Sequence, residues 1–140
     1  MSTNEKRIWD YLTGKGLSPA GAAGLMGNLY AESGLNPQNL QNTYEKKLGY
    51  TDAAYTAAVD SGKYQNFVHD SAGYGLAQWT YWSRKQNLLA FARAAGKSIG
   101  TWICSSIFCL RAFHRLQVRV VHPENRDCRS DCQRQCAAEL

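Results

Sequence analysis

The stretch GLSPAGAAGLMGNLYAESGLNP, residues 16–37, reads as one helix with both ends marked. Ser18 followed by Pro19 is a start signal: the hydroxyl accepts a hydrogen bond from an orphan first-turn amide, and proline suits a position whose N–H has no helical partner. From there Ala22, Leu25, Met26 and Leu29 fall on one face, and the helix is predicted to run to about Ser33 before the turn chemistry of Gly34, Asn36 and Pro37. Gly21 and Gly24 cost helix propensity and are read as places where a neighbouring backbone comes close. Glu32 follows Leu25 by seven residues and Leu29 by three, so the spacing puts its carboxyl on the buried face of the last turn. Loss of water and the negative helix end both disfavour a carboxylate there, and a raised pKa is what a general acid at neutral pH requires. A surface glutamate one position out of register, or a partner for the turn at Gly34, meets the same spacing.

Upstream, Ser2 and Glu5 stand at capping-box spacing, and Ile8, Tyr11 and Leu12 share a face, flanked by Trp9, before Gly14 and Gly16. Downstream, Thr51-Asp52 opens a short helix ending near Ser61-Gly62, and Ser83 with Gln86 opens another through Leu88, Leu89, Phe91 and Ala92 to Gly96. Between these two lies HDSAGYGLAQWT, residues 69–80, whose glycines and alternating character predict a turn or short hairpin. The expected fold is mainly α within an α+β class: a helical domain with a small irregular or β-hairpin element.

A chain of 140 residues builds one core. Its formal charge of +5 comes from 16 basic and 11 acidic residues scattered without a recognition motif, which argues against nucleic acid as a partner. The N-terminus, MSTNEKRIWDY, lacks the apolar run of a secretory signal, and no later segment is long and apolar enough to insert in a membrane. Work outside the cytoplasm is therefore expected to need delivery by other means. Residues 1–100 hold no cysteine and a single histidine, His69, which disfavours both a cysteine peptidase and a histidine-ligated zinc amidase.

Composition breaks at Gly100. All five cysteines lie between Cys104 and Cys136, whereas all 12 glycines, all eight tyrosines and every lysine lie at or before Gly100. Residues 101–140 are thus set apart as a Cys/Arg-rich tail. Cys128, Cys132 and Cys136 would stack on one helical face and, with His114 or His122, could hold zinc, but they match no paired CxxC spacing, and the expectation is no metal. A third reading comes from the genetic code. Joining the last base of each codon to the first two of the next, Trp102-Ile103 forces Asp, Phe108-Cys109 forces Leu and Cys104-Ser105 permits Gln. The shifted frame permits an amphipathic helix, so the tail is expected to derive from a frameshift near Gly100 and to be dispensable for the fold of the body.

ESGLNP, residues 32–37, resembles the catalytic segment of the lysozyme and lytic transglycosylase superfamily, and GYGLAQW, residues 73–79, resembles its substrate-cleft motif. Together with YEKKLGYTDAAYTAAVDSGKY at 44–64 and FVHDSAGYGLAQWTYWSRKQNLL at 67–89, these segments resemble the phage tail lysozyme domain over about residues 4–100. In that family a helix beginning with an acidic residue usually follows the Ser-Ile-Gly found here at 98–100, and the tail departs from it. The resemblance implies a 1–100 catalytic domain whose hairpin forms one wall of a cleft, and cleavage of peptidoglycan glycan strands without a cofactor. Glu32 would protonate the glycosidic oxygen. Asp70 would be the second catalytic carboxylate, ahead of Asp60, Asp52 and Glu45, although a turn or cap role suits it equally. Absent such a carboxylate, the substrate's own N-acetyl group would assist. Substrate would be held by Ser33, Asn36, the backbone at Gly75, Gln78, and the rings of Tyr74 and Trp79, although aromatic residues at such spacing also serve as core. The implied partners are bacterial peptidoglycan and other phage tail proteins, and the implied location is the virion tail or the cell wall after delivery from the cytoplasm. A non-catalytic wall-binding or tail-structural module is the alternative.

Overall fold

The computed structural model describes residues 1–107 and 109–111. Five helices follow in order: α1 (Thr3–Gly14), α2 (Pro19–Ser33), α3 (Asn42–Leu48), α4 (Asp52–Asp60) and α5 (Trp82–Ala94). A further helical stretch occupies 102–107 and 109–111. Among the described residues no helix is long and apolar enough to cross a membrane.

The starts of α1, α2 and α4 are where their capping residues put them. Ser2 and Glu5 complete a capping box, Ser18 Oγ accepts from Gly21 N at 3.1 Å, and Thr51 Oγ1 accepts from Ala54 N at 3.2 Å. The left-handed Gly34 closes α2. Two expectations shift. Helix α5 starts one residue after Tyr81 rather than at Ser83, with no side-chain cap, because its position is set by packing of Leu88 and Ala92. Helix α3 went unpredicted: it is seven residues long with no buried residue and no side-chain cap at its start, so no periodicity marks it and only the left-handed Gly49 at its end signals it. Nor does any backbone crowd Gly24, which faces open space.

The core has two clusters. In the first, Ile8 and Leu12 of α1 meet Ala22, Met26 and Leu29 of α2, with Leu35 and Leu76. In the second, Tyr55 and Val59 of α4 meet Leu88 and Ala92 of α5, with Leu40, Phe67 and Tyr74. Two segments contribute to both. The 73–79 hairpin sends Tyr74 into one and Leu76 into the other, with Trp79 packed against each. The C-terminal helical stretch likewise places Cys104 in the second cluster and Cys109 and Leu110 in the first. The expectation that the tail has no apolar face to dock is therefore corrected for its described part: residues 102–107 and 109–111 give Cys104, Cys109 and Leu110 to the two clusters, since even a cysteine-rich helix buries apolar surface when its small side chains face inward. The cysteines and histidines of the tail considered for zinc, His114, His122, Cys128, Cys132 and Cys136, lie outside the described residues.

Candidate active site

The hairpin is built by short antiparallel pairing. Tyr74 bridges both Trp79 and Leu40, with Tyr74 N and Trp79 N each donating to the other's carbonyl at 3.2 and 2.9 Å. Gln41 N donates to Gly73 O at 2.8 Å and Gly75 N to Asn39 O at 2.9 Å, which fastens the hairpin to the 39–41 segment. Gly75 turns the chain at φ +79, and Ser71 and Gln78 hold left-handed conformations at φ 60 and 47 without being glycine. Such backbone persists where its surroundings over-determine it.

The end of α2 is tied to this hairpin. Ser33 Oγ lies 2.9 Å from Leu29 O and 2.8 Å from Leu76 O, and Ser33 is itself buried. The inward face of α2 therefore runs Ala22, Met26, Leu29, Ser33. Glu32, one residue earlier and about 100° around the helix, is exposed. The expected burial of its carboxyl is thus corrected: the apolar face drifts onto Ser33 in the last turn, and Leu25, from which the register was counted, is only half-buried.

Asp70 lies elsewhere than a sugar-facing carboxylate should. Its side chain is 2% exposed and paired with Lys85 Nζ, a side chain at 0%. Oδ1 also accepts from Ala72 N at 3.0 Å, while Oδ2 accepts from the hydroxyls of Tyr55 at 2.6 Å and Tyr64 at 3.0 Å. Lys85 Nζ completes its donors on Ala72 O at 2.8 Å and Tyr55 Oη at 3.4 Å, above the Phe67 ring at 4.5 Å. Burial lowers the Lys85 pKa against the opposing pull of Asp70. Burial together with the Asp70 carboxylate raises Tyr55, and pushes Tyr64 up to about 12.

The other expected sugar contacts also turn inward. Tyr74 is buried, its hydroxyl 2.6 Å from Thr56 Oγ1, because the hairpin's alternation sends it into the second cluster; it offers no open face. Gln78 spends its amide nitrogen on Asn39 O and Asn39 Oδ1, each at 3.0 Å, and on Gly75 O at 3.1 Å. Asn36 donates to Asp52 Oδ2 at 3.1 Å and accepts from Gln38 N at 3.0 Å. Trp79 is half-buried, with the Arg84 guanidinium 5.5 Å over its ring. Of the weaker carboxylates, Asp52 also accepts from Leu40 N at 2.8 Å, Asp60 accepts from Ile99 N at 3.0 Å and from Ser98, and a hydrogen bond to Asp52 raises the Glu45 pKa.

Sequence reasoning missed the open aromatic surface beyond the hairpin. Tyr81 is 65% and Trp82 47% exposed, and His69 stacks on Trp82 with ring centroids 6.4 Å apart. Lys85 was also missed, although a lysine three residues before Leu88 and seven before Ala92 stands on the apolar stripe of α5. A cavity of about 280 Å³ lined by Asp60, Leu89, Ala92, Arg93, Lys97 and Ser98 includes, of the expected site residues, only Asp60, one of the weaker carboxylate candidates. Among the described residues no cluster of three or more potential ligands could hold a metal.

A helix ending in an exposed glutamate, stitched by the next residue to a glycine-rich hairpin, joins the two motifs that resemble lysozyme-like enzymes. No match was found among curated proteins or among solved structures. The family model for phage tail lysozyme matches residues 3–124, past the composition break at Gly100, and the chain belongs to that family.

Proposed function

We propose that this chain cleaves bacterial peptidoglycan between N-acetylmuramic acid and N-acetylglucosamine, with Glu32 as general acid, during penetration of the cell wall by a phage or prophage tail. The observation that carries the reading is the Ser33 Oγ to Leu76 O contact at 2.8 Å: it fixes the backbone of Glu32 to the hairpin and leaves the carboxyl open for a substrate. A sugar seated over Glu32 would replace the water around it, and a desolvated carboxyl is the form of acid that glycoside cleavage uses. Glu32 gives its proton to the bridging oxygen as the C1–O bond breaks, and positive charge develops at C1. With Asp70 held by Lys85 and two tyrosines, that charge is met by the carbonyl oxygen of the substrate's own N-acetyl group. Water or a hydroxyl of the same sugar then attacks C1, the C1 bond to the acetamido oxygen breaks, and the proton of the attacking O–H passes to the Glu32 carboxylate, which restores the acid. Tyr81, Trp82 and His69 supply the flat faces against which sugar rings pack.

The test is Glu32→Gln, which keeps shape and hydrogen bonding but has no proton to transfer. Release of fragments from purified sacculi, followed as new reducing or anhydro-sugar ends, should fall by about 10²–10⁴-fold with folding unchanged. Equal rates in both proteins overturn the assignment of Glu32. Binding to sacculi without release by the parent protein would favour a wall-binding module instead.

A further inference from the structure

We infer that Lys85 and Asp70 are positioning residues: a buried ion pair that sets the hairpin's conformation for substrate, an inference that rests on the glycan-cleaving reading above. The pair grips the hairpin at its root. Lys85 Nζ reaches both the Asp70 carboxylate and Ala72 O, and Asp70 Oδ1 takes Ala72 N, so the backbone on both sides of Ala72 is fixed just before Gly73. Ser71, between them, is held at φ 60. Strain of this kind stays only if neighbouring bonds enforce it, and here the enforcing bonds come from α5 and from the tyrosines of the 55–64 region. A buried ion pair adds little net stability compared with apolar residues of the same volume, whereas it does specify one geometry. Every donor of Lys85 and every oxygen of Asp70 is directed at a group that touches the hairpin root or orients one that does. From that root the chain runs to Tyr74, Gly75 and Leu76, whose carbonyl meets Ser33 beside Glu32.

Two variants test this. Lys85→Met keeps the length and removes the charge; Tyr64→Phe leaves the ion pair and deletes one bond to Asp70, and carries the test should the first fail to fold. Backbone hydrogen exchange should accelerate about tenfold or more at the Gln41, Tyr74, Gly75 and Trp79 amides, while protection in α1 and the first turns of α2 stays within about threefold, as local opening rather than global unfolding requires. With peptidoglycan fragments, KM should rise severalfold while kcat holds within about twofold, since the acid itself is untouched. Uniform acceleration across the chain, or none, overturns the inference and leaves only a stabilising role. Local acceleration with no change in sugar affinity keeps the grip on the hairpin but removes its link to substrate, which counts against the functional reading instead.

Discussion

Asp70 and Ser105 are both closed off from water, and their surroundings treat them in opposite ways. The Asp70 carboxylate accepts from Lys85, Tyr55, Tyr64 and the Ala72 amide. The hydroxyls of Ser105 and Ser106, 0% and 1% exposed, have no partner among the described residues, and neither does the buried Nε1 of Trp79. A buried polar group is tolerable when satisfied and costs about 1–3 kcal/mol when it is not. The surroundings of Asp70 are therefore matched to its charge, whereas the hydroxyls of Ser105 and Ser106, like the indole N–H of Trp79, fill their places by volume without matching their polarity. A shifted reading frame near Gly100 stays a proposal for the tail: its permitted residues are an aspartate, apolar groups and a glutamine rather than paired serines, but the family model matches the chain as far as residue 124. The nucleotide sequence of the gene decides that question directly.

The largest expected effect tests whether the poorly matched stretch still matters. Removing residues 101–140 takes Cys104, Cys109 and Leu110 out of the two core clusters. At about 1.5–3 kcal/mol for a large apolar side chain and less for each cysteine, the loss reaches only the lower end of the ~5–15 kcal/mol stability of an ordinary domain, which is enough to unfold a marginal one. The truncated chain should be unfolded or molten by near-ultraviolet circular dichroism. A cooperative melt at the parental temperature would show that the seam between the clusters closes without this helix.

A smaller effect of opposite sign sharpens the comparison. Ser105→Ala and Ser106→Ala each remove an unsatisfied hydroxyl and little volume, and each should stabilise by about 1 kcal/mol in urea denaturation. A loss of stability would mean that these hydroxyls have partners after all. The corresponding change on the other side, Tyr64→Phe, should destabilise, because it takes a donor from a buried carboxylate.

The smallest effect is a slope with pH. Tyr55, Tyr64 and Tyr74 all have folded-state pKa values raised above their ordinary 10.0, Tyr64 to about 12. Their contribution is complete below pH 10 and is lost as pH rises through the folded values, since the unfolded chain gives up these protons first. Lys85 acts the other way: its lowered pKa means that the cost of burying its charge is relieved as pH climbs toward its ordinary 10.5. With three tyrosines against one lysine, melting temperature should hold to about pH 10 and fall beyond it, and Tyr64→Phe should flatten the fall. A parental melting temperature that climbs from pH 10 to 11 would contradict this sign.

Much of the fold was legible along the chain, because the signals are local. Ser2, Ser18 and Thr51 mark helix starts through bonds that reach only three residues ahead, and the 3.6-residue period of Ala22, Met26 and Leu29 declares a buried face without reference to any partner. The glycines at 73 and 75 announced a hairpin for the same reason, and the motifs at 32–37 and 73–79 carried the family. What only the tertiary structure decided is where each polar atom points. Ser33 meets Leu76 across 43 residues, Gln78 meets Asn39 across 39 and Asp70 meets Lys85 across 15. Periodicity tells which face of an element is apolar, but the pairing of buried donors and acceptors depends on elements that meet only after folding. Thus the sequence by itself determined a helical, lysozyme-like domain with Glu32 at the end of its second helix. Three-dimensional packing turned Tyr74, Gln78 and Asp70 inward and left Glu32 in water, because a charge or amide enters a core only where a partner from elsewhere in the chain is waiting for it.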